Sequence, residues 1–225
     1  MGEISENKDI NETRPPEAES YKEIKPESEI TTEEARNYLD NLFEGEIEDE
    51  EISETENPHQ EEIDGKTYYY DDNGKLYRVE NDLAPNTEYE INGYKYTTDE
   101  KGRIVSVEGT LHMKNREGRL PIKDSIEDIG KGDQKDFDDR GHLIGDQFDG
   151  SNGLENMIPQ DANINRNDFK NFENELAKEV KAGKEVHVKI EPVYDGDSRR
   201  PVAIVVTYSI DGEECIRVFP NGQEE

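Results

Sequence analysis

Apolar positions along the chain change their period several times, and each period predicts a different element. Through residues 1 to 64 they are sparse, and only one island has a helical pattern. There Thr31-Thr32-Glu33-Glu34 resembles a capping box, and Ala35, Tyr38, Leu39, Leu42 and Phe43 follow at helical spacing. Glutamate-rich sequence resumes at Glu44, so this reads as a marginal helix in a solvated linker, with a docking helix as the alternative. From Gly65 the pattern is that of strands. Thr67 to Tyr70 and Lys75 to Val79 flank an Asn73-Gly74 turn, and Tyr94 to Thr98 and Arg103 to Val107 flank Asp99-Glu100-Lys101-Gly102, which predicts two hairpins.

In the second half Phe169, Phe172, Leu176 and Val180 share one helical face, with Asn167-Asp168 expected to cap its start and Ala182-Gly183 its end. Three β-branched runs follow: Val186 to Tyr194, Val202 to Ile210 and Cys215 to Phe219. The turns between them, Asp195-Gly196 and Asp211-Gly212, predict an antiparallel meander. The class is therefore α+β, an antiparallel sheet with a helix laid on it.

Charge divides the chain. The whole carries 57 acidic against 27 basic residues, a net of −30, and is only 30% hydrophobic. Residues 1 to 64 hold 23 of the acidic and 5 of the basic residues. Such a stretch cannot bury enough apolar surface to offset chain entropy, so 1–64 is expected to be an acidic, largely disordered region. A β-hairpin connector at 65–92 and one folded domain at 93–225 make up the rest. No stretch approaches the roughly 20 apolar residues of a membrane-spanning helix, and Met1 to Glu19 lacks an apolar signal-peptide core. The single cysteine, Cys215, excludes an intramolecular disulfide and a cysteine-based zinc site.

Four histidines are candidates for proton-transfer chemistry. His59 falls in the acidic linker, His112 is expected to point outward between inward-facing Leu111 and Met113, and His187 alternates with Val186, Val188 and Ile190. His142 differs: it closes Asp139-Arg140-Gly141-His142, where an acid, a cation and a base crowd around a glycine that permits close backbone approach.

Asp139-Arg140-Gly141-His142, followed by Asn156-Met157-Ile158-Pro159-Gln160 and then Asn165, resembles the DNA/RNA non-specific endonuclease family, whose fold is ββα-metal. The resemblance covers Gly93 to Asn221 and is strongest to the branch found as C-terminal nuclease domains of bacterial polymorphic toxins. It implies that His142 is the general base, that Asn165, five residues past Gln160, is the one direct protein ligand of a Mg²⁺, and that Glu173, eight further on, supports the metal's water shell. For the family's upstream arginine, Arg116 and Arg119 are both available.

The chemistry agrees with these roles. A neutral imidazole can accept a proton near neutral pH, with Asp139 or a backbone carbonyl fixing its tautomer. Arg140 offers a forked cation to a phosphate whose charge grows in the transition state. A hard cation held by Asn165 alone keeps open positions for substrate, and Mn²⁺ would serve there as well as Mg²⁺. The implied partners are DNA, RNA as a further substrate, and a cognate immunity protein, with no membrane. The implied place of action is a cell reached by secretion or delivery, and otherwise the cytoplasm.

A charge of −30 opposes nucleic-acid binding. Locally, however, Lys114, Arg116, Arg119 and Lys123 face a lone Glu117, and Arg199-Arg200 sit at a turn. A non-enzymatic acidic mimic of DNA is the main alternative, but it has no use for a DRGH motif in register with Asn165. HNH-type nucleases of the same fold class lack the DRGH phrase.

Overall fold

The computed structural model describes residues 58–222. Most of the acidic region, with the helix expected around Ala35 to Phe43, lies outside them. The frame is a six-stranded antiparallel sheet built from β5 (Glu88–Ile91), β6 (Tyr94–Thr98), β7 (Ile104–Thr110), β10 (Val186–Tyr194), β11 (Pro201–Ile210) and β12 (Glu213–Pro220). Its strand order is β12-β11-β10-β7-β6-β5. The expected meander forms β10 to β12, and the second expected hairpin forms β6 and β7. Pairing of β7 with β10, from His187↔Thr110 to Ile190↔Val107, joins the two halves. Burial alternates along the strands: Val186, Val188 and Ile190 are inside, whereas His187 and Lys189 are not.

Against the inner face lies a two-stranded hairpin, β8 (Asp138–His142) with β9 (Met157–Asp161), preceded by a short helix α1 (Ile126–Gly130). A π-helical turn (Ile164–Phe169) then leads into α2 (Lys170–Lys181). Phe172, Leu176 and Ala177 of α2 are buried in one core with Leu143, Ile144, Val188 and Ile204. The helix ends as expected, at Ala182 followed by Gly183 with φ +82°. Its start differs from the expectation. Asn167 and Asp168 do not cap it; instead Asp161 Oδ1 accepts the backbone N–H groups of Asn163 and Ile164, at 3.0 and 3.1 Å. The chain therefore turns helical directly after β9, which puts Asn165 in the π turn rather than in a loop.

The boundaries also differ. Strand β1 (His59–Ile63) lies inside the segment expected to be disordered and pairs with β2 (Lys66–Tyr70), while β3 (Leu76–Val79) and β4 (Asp82–Leu83) complete a four-stranded sheet. The consecutive glutamates of β1, Glu61 and Glu62, stand opposite Tyr68 and Thr67 of β2, with no like charge across the pair. Nor is 65–92 a connector. Tyr77 of β3 stacks on Tyr89 of β5, which stacks on Tyr96 of β6, with ring centroids 4.7 and 5.1 Å apart. Arg78 is buried between Asp124 and Glu155, with 3.0 and 3.3 Å contacts. Buried charges of this kind require partners, and these come from the loops that carry the site. Two tyrosine hydroxyls reach the same loops: Tyr89 donates to the Glu155 carbonyl at 2.9 Å and Tyr94 to that of Phe148 at 2.7 Å. No helix among the described residues is long and apolar enough to cross a membrane.

Candidate active site

The DRGH residues lie on β8, where register sets His142 opposite Met157 and Asp139 opposite Gln160. Gly141 is required by packing. A Cβ there would stand 2.6 Å from the Cβ of Gln160, whose side chain is fully buried over this strand. Asp138 forms a two-point ion pair with buried Arg200, at 2.7 and 2.8 Å, and Arg200 also donates to the carbonyl of Asn221. The Asn221 side chain in turn donates to the Pro159 carbonyl and accepts from Asp161 N. Beyond His142 the chain is held by Asn156, which accepts from Ile144 N at 2.9 Å and donates to its carbonyl at 2.8 Å. The first residue of the Asn156 to Gln160 phrase thus fixes the segment that leaves the histidine.

His142 is 8% exposed. Burial pushes its pKa down to about 4, the charges of Arg119 and Arg140 act in the same direction, and Asp146 opposes them. The ring is therefore neutral at pH 7, with a lone pair free to take a proton. Asp139 does not serve it. Its carboxylate accepts from Asn165 Nδ2 at 3.0 Å and from Arg166 Nε and Nη2 at 2.8 and 2.6 Å. Burial works against ionisation of Asp139, but these bonds and the charges of Arg166 and Arg140 hold it below the ordinary carboxylate range. Among the described residues the His142 ring makes no hydrogen bond, so the expected tautomer-fixing role of Asp139 is replaced by one of orienting Asn165. Arg140 is exposed and donates to the Asp124 carbonyl at 3.0 Å.

Glu173 projects from α2 toward the segment after His142. A Cβ on Gly145 would meet its Cδ at 2.8 Å, and the side chain borders Leu143, Phe148 and Phe169. Enclosure raises its pKa to about 7, with Arg119 and Lys170 pulling the other way. Arg119 therefore acts electrostatically on both His142 and Glu173. Arg116 is committed to Asp146 at 2.7 Å and Asp149 at 3.3 Å, and Lys114 is paired with Asp146. Of the expected basic stretch, then, Lys114 and Arg116 are neutralised, as is Arg200. Arg119 has no ion pair among the described residues.

For a metal the donors are oxygens. Donation from Asn165 Nδ2 to Asp139 fixes the amide, leaving Oδ1 as the free acceptor. Among the described residues no group of three or more His, Cys, Asp or Glu could hold a metal ion. One amide oxygen with a nearby carboxylate suits a hard cation that keeps most of its waters. The other histidines lie apart from this arrangement: His59 stacks on Tyr70, His112 on Tyr94, and His187 pairs with Glu108.

Comparison with known proteins gives the family. The model of the family described as DNA/RNA non-specific endonuclease matches residues 85–212, starting earlier and ending sooner than Gly93 to Asn221. The type VII secretion system protein EssD of Staphylococcus aureus, in strains USA300 and NCTC 8325 / PS 47, is 40% identical over 100 residues. That alignment covers 41% of this chain and 16% of EssD, so the chain corresponds to a small part of those relatives. The family match takes in β8, β9, the π turn and α2 and extends over more than half of the sequence; the chain belongs to the DNA/RNA non-specific endonuclease family.

Proposed function

We propose that this chain is a Mg²⁺-dependent endonuclease of the ββα-metal type that hydrolyses DNA, and RNA as a further substrate, and that it serves as an antibacterial toxin domain. The observation that carries this reading is the state of His142: neutral, enclosed, and set in the field of two arginines, Arg119 and Arg140. Membership of a nuclease family that is typically metal-dependent supports it.

In this reading His142 takes the proton of the attacking water. Its imidazolium form is disfavoured by burial and by both cations, so the proton is held weakly until a phosphate enters and offsets their charge. Arg119 and Arg140 then face the phosphoryl oxygens, where negative charge grows as the bond to the 3′ oxygen lengthens. Asn165 Oδ1 would hold the cation and Glu173 would orient its water shell; once bound, the cation supplies neutralisation at the phosphoryl and leaving oxygens. Asp139 and Arg166 keep the Asn165 amide turned for that task.

The toxin role draws on similarity to EssD, a type VII secretion system protein. It implies an immunity protein that covers this site in the producing cell. Plasmid and structured RNA incubated with the purified chain, with Mg²⁺ or EDTA, beside His142→Ala and Asn165→Ala, test the enzyme. Metal-dependent nicking lost in both variants is expected, and undiminished cleavage by His142→Ala would refute the assignment. For the toxin role, growth arrest is expected when the intact chain is expressed in a bacterium lacking the partner. Ready overproduction of active protein would argue against it.

A further inference from the structure

The segment from Lys114 to Leu120 joins no sheet and no helix, yet it carries Arg119, a cation whose charge acts on His142. Much of what holds it is one carboxylate. Asp146 accepts from Lys114 Nζ, from Arg116 Nη2 at 2.7 Å, and from the backbone N–H of Leu120 at 3.3 Å. The backbone N–H of Lys114 also donates to the Gln147 carbonyl at 3.0 Å. The two ends of the segment are thereby drawn to one side chain, with Arg119 next to the last attachment, while Lys114 and Arg116 also donate to the Gly118 carbonyl and Arg116 pairs with Asp149 at 3.3 Å. Left free, such a segment would lose backbone entropy in every residue ordered at the moment of binding.

Asp146 is itself held by backbone hydrogen bonds. It opens a 3₁₀ turn, Asp146–Phe148, four residues after His142. That turn is closed by Phe148 N–H and Gly150 N–H, both donating to the Gly145 carbonyl, at 2.9 and 3.2 Å. Gly150 is needed for the closure, because a Cβ there would stand 2.6 Å from the carbonyl carbon of Ile144. Asn156 grips both polar groups of the Ile144 backbone. His142 and Asp146 therefore move as one unit, and whatever Asp146 holds is held relative to the base.

We propose that Asp146 is a positioning residue that fixes Arg119 over the His142 site by closing the segment 114–120. The claim concerns how the proposed nuclease site is assembled and so rests on that reading. Lys114 and Arg116 serve as tethers rather than as phosphate contacts. The substrate cation is Arg119, which the segment leaves without a carboxylate partner among the described residues.

The test is a double-mutant cycle on the full chain with Arg119→Ala, Asp146→Ala and their combination, read in two ways. In cleavage, Arg119→Ala should lower kcat by about 100-fold, as losing one donor to developing charge does, Asp146→Ala by a similar factor, and the pair by no more than either alone. In the second reading His142 is titrated by NMR in EDTA without substrate. Arg119→Ala should raise its midpoint when Asp146 is present and leave it unmoved in the Asp146→Ala background. Asp146→Asn keeps an acceptor for Leu120 N–H but loses both ion pairs; it should fall between, and it replaces the alanine variant if that one melts early. Multiplying effects on kcat, or the same Arg119→Ala shift of His142 in both backgrounds, would overturn the proposal. A wild-type chain that cuts nothing but shows the expected titrations would sink the nuclease reading and leave the positioning role standing.

Discussion

Asn165 and Asp139 meet across 3.0 Å, amide nitrogen to carboxylate oxygen, one from the π turn and the other from β8. The contact decides which end of the amide is offered to solvent. A carboxylate only accepts, so Nδ2 is consumed and Oδ1 is exposed for a cation. Asparagine at position 139 could present either group, and the Asn165 amide would lose its fixed sense. Asp139→Asn is therefore expected to raise the Mg²⁺ concentration for half-maximal cleavage by about 10–100-fold, the range seen when a partner of a metal ligand is changed. A metal titration of cleavage rate checks this, and an unchanged midpoint would separate Asp139 from metal binding.

Gly141 sits where the Gln160 side chain fills the space a methyl would need. Gly141→Ala should cost about 1–3 kcal/mol in urea denaturation, the usual penalty for overpacking. Adding Gln160→Ala removes the amide but keeps the Cβ at 2.6 Å, so it should recover only part of the loss. Full recovery would show that the amide alone makes the clash.

The pH dependence of stability should be flat where two groups cancel. His142 falls from 6.5 to about 4, so its stabilising contribution is complete above pH 6.5 and is lost as pH drops toward 4. Glu173 rises from 4.5 to about 7, so its contribution is complete below pH 4.5 and is lost as pH climbs through 7. Between pH 4.5 and 6.5 the slopes oppose each other. In EDTA, Glu173→Gln should leave stability rising with pH and His142→Gln should leave it falling, each by at most about 1.4 kcal/mol per pH unit. Urea melts across that window that slope the same way in both variants would refute the assignment.

Arg78 tests whether the first sheet belongs to the folding unit. Asp124→Ala would leave its buried guanidinium with the longer Glu155 contact as its one ion pair, beside the bond to the Glu80 carbonyl. The expected cost is about 3–5 kcal/mol, measured by denaturant melts. A loss below 1 kcal/mol would mean that β1 to β4 ride on the nuclease frame without supporting it.

What could be read in advance followed from strong periods. Val186 to Phe219 alternates plainly, Phe169 to Val180 keeps a helical stripe, and both elements stand where the pattern put them. Strand β8 has no such pattern: Asp138-Asp139-Arg140-Gly141-His142 is extended because Met157 to Asp161 pairs with it and Arg200 holds its first residue. The helix start went to Asp161 because the cap was decided by which carboxylate ends β9, not by the asparagine-rich composition nearby. That Arg116 is paired while Arg119 has no ion pair among the described residues depends on Asp146, 30 residues from Arg116 in the chain, and no local spacing encodes that. His142, Asn165 and Glu173 were legible as a motif; Asp146, Arg166 and Asn156, which set their surroundings, were not.

The clamp made by Asn221 gives the protein a built-in delay. A ribosome delivers the whole DRGH phrase about 80 residues before the asparagine that secures Pro159, Asp161 and Arg200. During synthesis the DRGH phrase thus emerges before Asn221, and the hairpin is secured only once that asparagine has followed it. A chain stopped after Phe219 should bind an inhibitor of the mature fold poorly and cut nothing in a translation time course, whereas cleavage by that shortened product would show that alignment comes earlier. In the proposed nuclease reading, the order of emergence separates the appearance of the DRGH residues from the completion of the frame that aligns them.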